Sequence, residues 1–412
     1  MRFPFHWRVV TAMAAGALAG YVWRADPALF GGAALSVFEV LGALFVNALR
    51  MLAVPLVVSS VISGVSGLRS GHGLGRIGLR TLLFYVATTA IAVLVAVTLL
   101  AILKPGLVDG TPAGGRMAFH ATAAEVAADL GKRTRTVADT FLDLVPPNLF
   151  EAARDGNLLG LVFFSVLIGY ALTRIESERA QVVSGFFSGL SEATMHVTGL
   201  VMQFAPVGVF GLVARTVAQA GLAAAAPLLL FSVTVILGLL LYACALLPTL
   251  VRLTAGVRTW PLFTAMAPAL LTAFATASSS AALATSIDCV ERRAGVPARV
   301  SGFVMSLGAS LNHAGTALYE CAAVLFIAQA YGVDLSFGQR CVVAAMALGT
   351  SMGMAGIPAA SLMAIAVMLS TLGLPAEALG ALLVFDRLLD MCRTAVNVFA
   401  DACCAVIVAR LA

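Results

Sequence analysis

A polar stripe on one predicted helix near the end of the chain holds the residue types best suited to binding chemistry. Successive residues of an α-helix turn by about 100°, which brings the polar side chains of residues 386–401 into an arc of about 100°. Leu, Met, Val, Phe and Ala fill almost all the other positions of this segment. The stripe consists of Asp386, Asp390, Arg393, Thr394, Asn397 and Asp401.

The composition of the chain places this stripe in a membrane. Its 412 residues are 61% hydrophobic and 11% charged, with a mean hydropathy of +1.00. An Asp or Arg at mid-bilayer costs roughly 2.5–3.5 kcal/mol unless it is paired or faces water, so several of them on one helix indicate a binding site. A structural ion pair between Asp390 and Arg393 is the alternative. Thr394 and Asn397 argue against it, because a pair that only docks a helix needs no further polar neighbours.

The charge distribution describes topology and not a nucleic-acid partner. The net charge is +5, but Lys and Arg occupy short connections between apolar runs and form no patches with interleaved aromatic residues. Short arginine-rich loops predict a cytoplasmic side, which puts segment 104–147 outside and both termini in the cytoplasm.

Residues 9–22 also fit a signal peptide with a cleavage site at Ala17-Leu18-Ala19. A retained helix is favoured because the next apolar run starts almost at once.

The seven cysteines and five histidines do not favour metal or disulfide chemistry. The cysteines lie in or beside apolar runs without zinc or redox spacing, and the histidines are scattered. These patterns argue against a metal cluster, a disulfide framework and an enzyme.

The apolar runs predict six continuous spans followed by two broken segments. Residues 259–287 and 341–376 are uncharged but interrupted at 276–281 and 349–358, so each half is too short to cross about 30 Å as a helix. We therefore expect two re-entrant hairpins, whose loose backbone must be covered by protein or line an aqueous cavity. The continuous spans are span 1 (8–24), span 2 (34–68), span 3 (81–103), span 4 (148–175), span 5 (181–218) and span 6 (226–251).

A long helix with a polar interruption follows each predicted hairpin. Residues 312–316 interrupt span 7, and the stripe lies on span 8. This repeated unit predicts inverted repeats whose broken tips meet near the middle of the membrane, as in secondary transporters. The expected fold class is an all-α multispanning membrane protein with eight transmembrane helices and two re-entrant hairpins.

The polar groups on span 8 suit a ligand that carries both signs of charge. Arg393 can hold a carboxylate through two parallel hydrogen bonds, and Asp390 can hold an ammonium group. Asp401 has no cationic neighbour on its helix and suits a Na⁺ that main-chain oxygens also coordinate. An acidic amino acid moved with cations fits these three groups.

Five motifs resemble the glutamate/aspartate transporters of the dicarboxylate/amino acid:cation symporter family. The resemblance covers most of the chain and is strong from about 143 to 410. The motifs are Asp143-Leu-Val-Pro-Pro-Asn, Ser278-Ser-Ser, Asn312-His-Ala-Gly-Thr-Ala-Leu-Tyr-Glu, Gly353-Met-Ala-Gly-Ile-Pro and Asp390-Met-Cys-Arg-Thr-Ala-Val-Asn. Together they are highly specific.

The resemblance implies an elevator-type homotrimer in which a transport domain moves against a fixed scaffold, with the second hairpin as a gate. The implied scaffold comprises residues 1–75 (spans 1 and 2) and 148–222 (spans 4 and 5). Residues 106–147 form an extracellular loop. The implied transport domain comprises residues 76–105 (span 3) and 223–412 (span 6, both hairpins, spans 7 and 8).

The resemblance also assigns substrate contacts. It implies that Arg393 and Thr316 bind the side-chain carboxylate of the substrate, and that Asp390 binds its amino group. It implies that Asn397, Thr394 and the main chain around Ser279 and Ile357 bind its α-carboxylate. Relatives that carry C4-dicarboxylates lack the amino-binding Asp, and relatives that carry neutral amino acids lack the Arg, so the presence of both favours aspartate or glutamate.

Two sodium sites are implied in the same way, and a third is not expected. The first uses Asp401 with the carbonyls of Gly308, Asn312 and Asn397, and the second uses carbonyls of Ser310, Ser351, Met352 and Met354. Relatives build the third around an Asp where this chain has Ala314, together with groups matching Tyr85, Thr88, Thr89 and Asn312. Loss of the anionic ligand should remove most of that site's affinity, because burying a cation without a counter-charge is costly.

Two titratable residues nearby are candidates for proton coupling. His313 stands where relatives carry Met, and histidine changes charge near neutral pH. Glu320 matches the glutamate that carries a proton in the animal transporters. The alternatives are a structural buried histidine bonded to a hydroxyl, and a glutamate that pairs with an arginine or forms a polar rim.

The predicted function is secondary symport: the protein imports L-aspartate or L-glutamate with Na⁺ and, as a second coupling ion, H⁺. The predicted location is the cell membrane, which is the inner membrane in a Gram-negative bacterium. No cofactor is expected beyond the coupling ions, and the partners are the substrate, Na⁺, the lipid bilayer and two further copies of the chain. The alternatives are coupling to protons alone and transport of a C4-dicarboxylate or a neutral amino acid. A channel would need a continuous polar pore, and the paired Asp390 and Arg393 argue against one.

Overall fold

The computed structural model of the chain is almost wholly helical in the part that it describes. The described residues are 5–26, 34–66, 75–117, 145–154, 158–175, 177–221, 225–353, 360–375 and 378–411. Within them the strands are two residues each, β1 (Leu107–Val108) and β2 (Thr111–Pro112), which pair antiparallel after the first long helices. This confirms the predicted helical class.

The helices follow the apolar runs of the sequence. They are α1 (Phe5–Ala25), α2 (Ala34–Ser66), α3 (Gly75–Leu103), α4 (Leu149–Arg154), α5 (Leu158–Leu172), α6 (Ser177–Gln203), α7 (Ala205–Ala220), α8 (Ala225–Leu241), α9 (Leu247–Ala255), α10 (Trp260–Thr276), α11 (Ser279–Arg292), α12 (Ala298–Leu311), α13 (Ala314–Ala330), α14 (Phe337–Gly353), α15 (Ala360–Thr371) and α16 (Leu379–Leu411). A 3₁₀ turn at Ala113–Met117 follows β2, and a π-helical turn at Tyr242–Leu246 joins α8 to α9.

Long apolar helices make this a multispanning membrane protein. In the described residues four helical segments are long and apolar enough to cross a membrane: Ile77–Leu103, Ala225–Ala255, Ala298–Ala330 and Phe385–Leu411. A fifth consists of α6 and α7 if the pair counts as one span. These two helices meet at a bend of 54° just before Pro206. Pro55 lies inside α2 without ending it.

The helices pack in two groups. In the first group α1 packs on α7, and α2 packs on α5, α6 and α7. The second group contains α3 and α8–α16, where α13 packs against α3, α14 and α16, and α16 packs against α8, α10 and α12. The groups meet where α7 contacts α16 and where α2 contacts α15.

The first predicted break is a two-residue connection between α10 and α11. Ala277 adopts a left-handed conformation with φ 49°, and the hydroxyl of Ser278 accepts a hydrogen bond from the N–H of Ala281 at 3.2 Å. A left-handed residue ends one helix and a serine cap begins the next, so the chain stops and restarts within two residues. The helices α10 and α11 then pack against each other, and Phe263 of α10 stacks on Phe399 of α16.

The second predicted break starts later than the sequence suggested. Residues 349–353 were expected to be part of the interruption, but they continue α14 to Gly353, because Thr350 and Ser351 bond back to the preceding turn and fit the helix. The rest of that predicted interruption, 354–358, lies outside the described residues.

The interruption in span 7 occurs at Asn312 and His313, between α12 and α13. Both have non-helical backbone angles, with φ −103° and ψ 88° at Asn312. Every residue of α13 except Gln329 is buried, which is typical of a helix surrounded by protein on all sides. Gln329 donates to the carbonyl of Leu100 at 2.8 Å and accepts from the N–H of Gly106 at 3.2 Å, so it ties α13 to the end of α3.

The contact of α1 with α7 leads to a prediction about stability. A Cβ added at Gly20 would lie 2.3 Å from the carbonyl oxygen of Ala214 and 2.9 Å from the nitrogen of Ala218. Small residues permit such close helix contacts in membranes, and overpacking costs about 1–3 kcal/mol. We expect Gly20→Ala to lower the melting temperature of the detergent-solubilised protein by several degrees. Gly302→Ala is the control because nothing lies within 4 Å of its added Cβ; equal melting temperatures would contradict the prediction.

Candidate functional site

Arg393 lies at the centre of a buried charge cluster on α16. Its side chain is 1% exposed. Its Nη1 donates to Oδ1 of Asp386 at 3.1 Å, and its Nε donates to Oδ1 of Asp390 at 3.1 Å, while Nη2 lies 2.9 Å from the same oxygen. The guanidinium carbon sits 4.1 Å from the ring centroid of Tyr319 on α13. Two carboxylates and one aromatic face therefore fix the guanidinium plane.

Each member of this cluster depends on the others. A charge removed from water is costly unless its partners are close and well oriented, and removing one partner of a buried pair costs about 3–5 kcal/mol. The spacing of Asp386, Asp390 and Arg393 places all three on one face of α16, one turn apart. The ion pair between Asp390 and Arg393, which the structural alternative predicted, is thus present. It lies on the same helix face as Thr394 and Asn397, which an ion pair that only docks the helix would not need.

The amide side chain of Asn397 joins the stripe on α16 to the start of α13. Asn397 donates from Nδ2 to the hydroxyl of Thr316 at 3.1 Å and accepts from the N–H of Gly315 at 2.8 Å. The hydroxyl of Thr394 donates to the carbonyl of Asp390 at 2.7 Å. The structure therefore brings Thr316, predicted from a different segment, into contact with the stripe.

The first turn of α11 supplies main-chain donors beside α16. Ser279 is the first residue of α11 and is buried, and α11 packs on α16. The N–H groups in the first turn of a helix lack intrahelical partners and suit a carboxylate. Ile357, predicted to act from the other side of the site, lies outside the described residues.

Asp401 forms a second buried acidic group two turns from Arg393. Its Oδ1 accepts a hydrogen bond from Nδ2 of Asn312 at 2.7 Å. Its carboxylate lies against Gly308, where an added Cβ would sit 2.3 Å from Oδ1. In the described part of the chain no Lys or Arg forms an ion pair with Asp401, and Oδ1 of Asn312 has no hydrogen-bond partner. Hard oxygen donors around an unpaired carboxylate fit a Na⁺.

Three of the four predicted ligands of the second sodium ion lie on α12 and α14. Ser310 occupies the last turn of α12, where carbonyls lack intrahelical donors, and Ser351 and Met352 lie on α14. The carbonyl of Ser351 instead lies 3.2 Å from Nδ1 of His313. Met354 lies outside the described residues. His313 is therefore bonded to a carbonyl and not to the hydroxyl foreseen in the structural alternative, and its Nε2 has no partner among the described groups.

Glu320 is fully buried on α13 without a cationic partner. Its Oε2 accepts from the hydroxyl of Thr350 at 2.7 Å, and Oε1 has no hydrogen-bond partner among the described residues. No described Lys or Arg lies within ion-pair distance of it. The arginine partner and the polar rim foreseen as alternatives for Glu320 stay open.

The residues implied for a third sodium site lie on α3 and at the break between α12 and α13. Ala314 is fully buried and supplies no charge. The hydroxyl of Tyr85 donates to the carbonyl of Val304 at 2.8 Å, and that of Thr88 donates back to Phe84 at 2.8 Å. The hydroxyl of Thr89 has no described partner. The hydroxyl groups of Tyr85, Thr88 and Thr89 are thus present, whereas Ala314 itself adds no carboxylate.

Sequence reasoning gave no role to four residues that complete these contacts. Asp386 was on the stripe, and the two carboxylates on Arg393 could have been foreseen from the spacing of seven residues. Tyr319 follows Thr316 by three positions on one helix face, but its contact with Arg393 joins two helices and has no local signal. The others are Thr350, which holds Glu320, and Arg387, whose Nη1 lies 3.9 Å from Oδ2 of Asp390.

The whole chain is similar to known symporters. It is 32% identical to the proton/glutamate-aspartate symporter of Escherichia coli (strain K12), over 100% of this chain and 93% of that protein. It is 32% identical to the proton/sodium-glutamate symport protein of Bacillus subtilis (strain 168), with the same coverage. It is also 32% identical to excitatory amino acid transporter 1 of Ambystoma tigrinum, over 98% of this chain and 82% of that protein. Residues 5–411 match the sodium:dicarboxylate symporter family, and the chain belongs to this family of transporters.

Proposed function

We propose that the chain is a secondary symporter that imports an acidic amino acid, L-aspartate or L-glutamate, together with Na⁺ and H⁺. The observation that carries the proposal is the buried Arg393, held flat between Asp386 and Asp390 with Thr394 and Asn397 on the same face. The names of relatives that span nearly the whole chain add support, since they describe symport of glutamate or aspartate with protons or sodium.

The substrate assignment follows from the charges of the cluster. Arg393 takes the side-chain carboxylate, with Thr316 beside it, and Asp390 takes the ammonium group. Thr394, Asn397 and the main chain of Ser279 and Ile357 take the α-carboxylate. For the substrate to bind in this way, the ion pairs around Arg393 must open partly. The side-chain carboxylate of the substrate then replaces a carboxylate of the protein at the guanidinium.

Sodium is assigned to Asp401 and to the helix ends. Asp401 coordinates the first ion with the carbonyls of Gly308, Asn312 and Asn397. The carbonyls of Ser310, Ser351, Met352 and Met354 coordinate the second. A third site is not expected, because Ala314 offers no charge to compensate a buried cation.

A proton is assigned to Glu320. A carboxylate that is buried without a cation is costly as an anion, so a mobile proton is the simplest compensating charge. Thr350 supports this because its hydroxyl can hydrogen bond to either form of the carboxyl group. His313 is the second candidate, but its ring is already engaged with the carbonyl of Ser351.

The two groups of helices support an elevator mechanism. The first group matches the proposed scaffold, residues 1–75 and 148–222, and the second matches the proposed transport domain, residues 76–105 and 223–412, with loop 106–147 outside. In this proposal α10 and α11 form the first re-entrant hairpin, and α14 and α15 form the gating hairpin. Three copies assemble through their scaffolds in the cell membrane, with eight spans each and both termini in the cytoplasm.

Transport of a C4-dicarboxylate is the second candidate function. The family's description names dicarboxylates, and Asp390, which would hold the ammonium group, already faces Arg393 at 2.9 Å and Arg387 at 3.9 Å. A carboxylate that is neutralised by two arginines attracts an ammonium group less strongly.

One prediction about transport concerns Arg393. Proteoliposomes should accumulate radiolabelled L-aspartate when a Na⁺ gradient is imposed, and Arg393→Lys should reduce uptake at least about tenfold, because lysine keeps the charge but loses the two-pronged geometry. Arg258→Lys is the matched control, since Arg258 is exposed between α9 and α10. Unchanged uptake by a correctly folded Arg393→Lys protein would refute the assignment of Arg393.

The second prediction concerns the coupling proton. An inward acid gradient should stimulate wild-type uptake of L-aspartate, and Glu320→Gln should remove this stimulation while uptake driven by Na⁺ persists. Glutamine preserves the size of the side chain and an oxygen for Thr350 but cannot release a proton. Glu192→Gln serves as the control because Glu192 is exposed on α6. If the variant responds to acid as the wild type does, Glu320 is not the proton carrier.

A further inference from the structure

Arg387 stands at the edge of the polar stripe, one turn before Asp390. On the helix it lies about 60° from Asp390 and about 20° from Thr394, on the side of the stripe where Thr394 lies. Its Nη1 is 3.9 Å from Oδ2 of Asp390, and its side chain is 15% exposed. Arg387 therefore borders the proposed substrate site and takes no part in the ion pairs of Arg393 with Asp386 and Asp390.

The two oxygens of Asp390 face different arginines. Oδ1 lies 2.9 Å from Nη2 of Arg393, and Oδ2 lies 3.9 Å from Nη1 of Arg387. Asp386 also pairs with Arg393. The cluster therefore carries two positive charges, on Arg387 and Arg393, and two negative charges, on Asp386 and Asp390. An arriving ammonium group therefore meets a carboxylate with an arginine near each oxygen.

The two arginines differ in how closely they approach Asp390. Arg393 is 1% exposed, contacts two carboxylates at 3.1 Å or less and rests on Tyr319. Arg387 approaches Asp390 at a longer distance, and its side chain reaches the surface. An ammonium group can therefore displace Arg387 from Oδ2 more easily than Arg393 from Oδ1, because the attraction of two charges at 3.9 Å is weaker than that at 2.9 Å.

We propose that Arg387 competes with the substrate's ammonium group for Oδ2 of Asp390 and so sets how strongly the protein prefers an acidic amino acid over a C4-dicarboxylate without an amino group. The inference rests on the proposed function, in which Asp390 holds the ammonium group. Arg387 is a specificity residue in this role: its positive charge weakens binding of an ammonium group and favours binding of a dianion. The wild-type protein therefore prefers the amino acid less strongly than a variant without this arginine would.

The experiment measures inhibition of radiolabelled L-aspartate uptake by unlabelled succinate and by unlabelled L-aspartate in proteoliposomes. The readout is the ratio of the two inhibition constants, succinate over aspartate. We expect Arg387→Gln and Arg387→Met to raise this ratio about tenfold, and Arg387→Lys to stay close to the wild type. Arg252→Gln, at an exposed arginine of α9, should also leave the ratio unchanged. An unchanged ratio in both neutral variants would overturn the proposal.

Two further measurements separate this inference from the proposed function. Asp390→Asn should lower the preference for aspartate over succinate, whether or not Arg387 competes for Asp390. An unchanged preference would refute the binding of the ammonium group by Asp390, and with it both the proposed substrate assignment and the proposed role of Arg387. If the neutral variants insert but do not transport, the same ratio is taken from the shift in melting temperature that each ligand causes in detergent. A wild-type protein that neither binds nor transports L-aspartate would refute the proposed function itself.

Discussion

The ion pairs around Arg393 are the constraint on which the rest of the structure depends. A guanidinium and two carboxylates buried in a membrane protein are tolerated only when every charge has a partner at close range, and α16 supplies these partners from its own face. Tyr319 closes the cluster from α13. The chain must therefore keep α13 and α16 in fixed register, and the hydrogen bonds of Asn397 to Thr316 and Gly315 hold the two helices at this point.

Helix breaks provide the neutral half of the same site. The chain stops and restarts at Ala277 and Ser278 and again at Asn312 and His313, and each break frees main-chain groups that a continuous helix would have used. Such backbone is tolerated at membrane depth where protein surrounds it, and the burial of Asn312 and Ser279 fits this condition. The side chains of α16 supply charge, and the broken helices supply uncharged donors and acceptors.

The positions of the buried carboxyl groups bear on the coupling that we propose. Ala314 is buried and uncharged, whereas Glu320 places a buried carboxyl group about 1.7 turns further along α13. Asp401 remains as an unpaired acid beside Asn312 in the described structure. The coupling that we propose follows from this balance, because each buried anion without an arginine needs a mobile cation.

The sequence by itself determined the helical membrane class, the polar stripe of α16, the break at Ala277 and Ser278 and the family. These features are local, since each depends on hydropathy, helical periodicity or a short motif. Tertiary structure alone decided that Tyr319 covers Arg393, that Thr350 holds Glu320, and that His313 meets the carbonyl of Ser351. It also placed both arginines on opposite oxygens of Asp390 and carried α14 through residues 349–353. Such contacts join segments far apart in the chain or depend on which rotamer packing permits, and no local pattern encodes either.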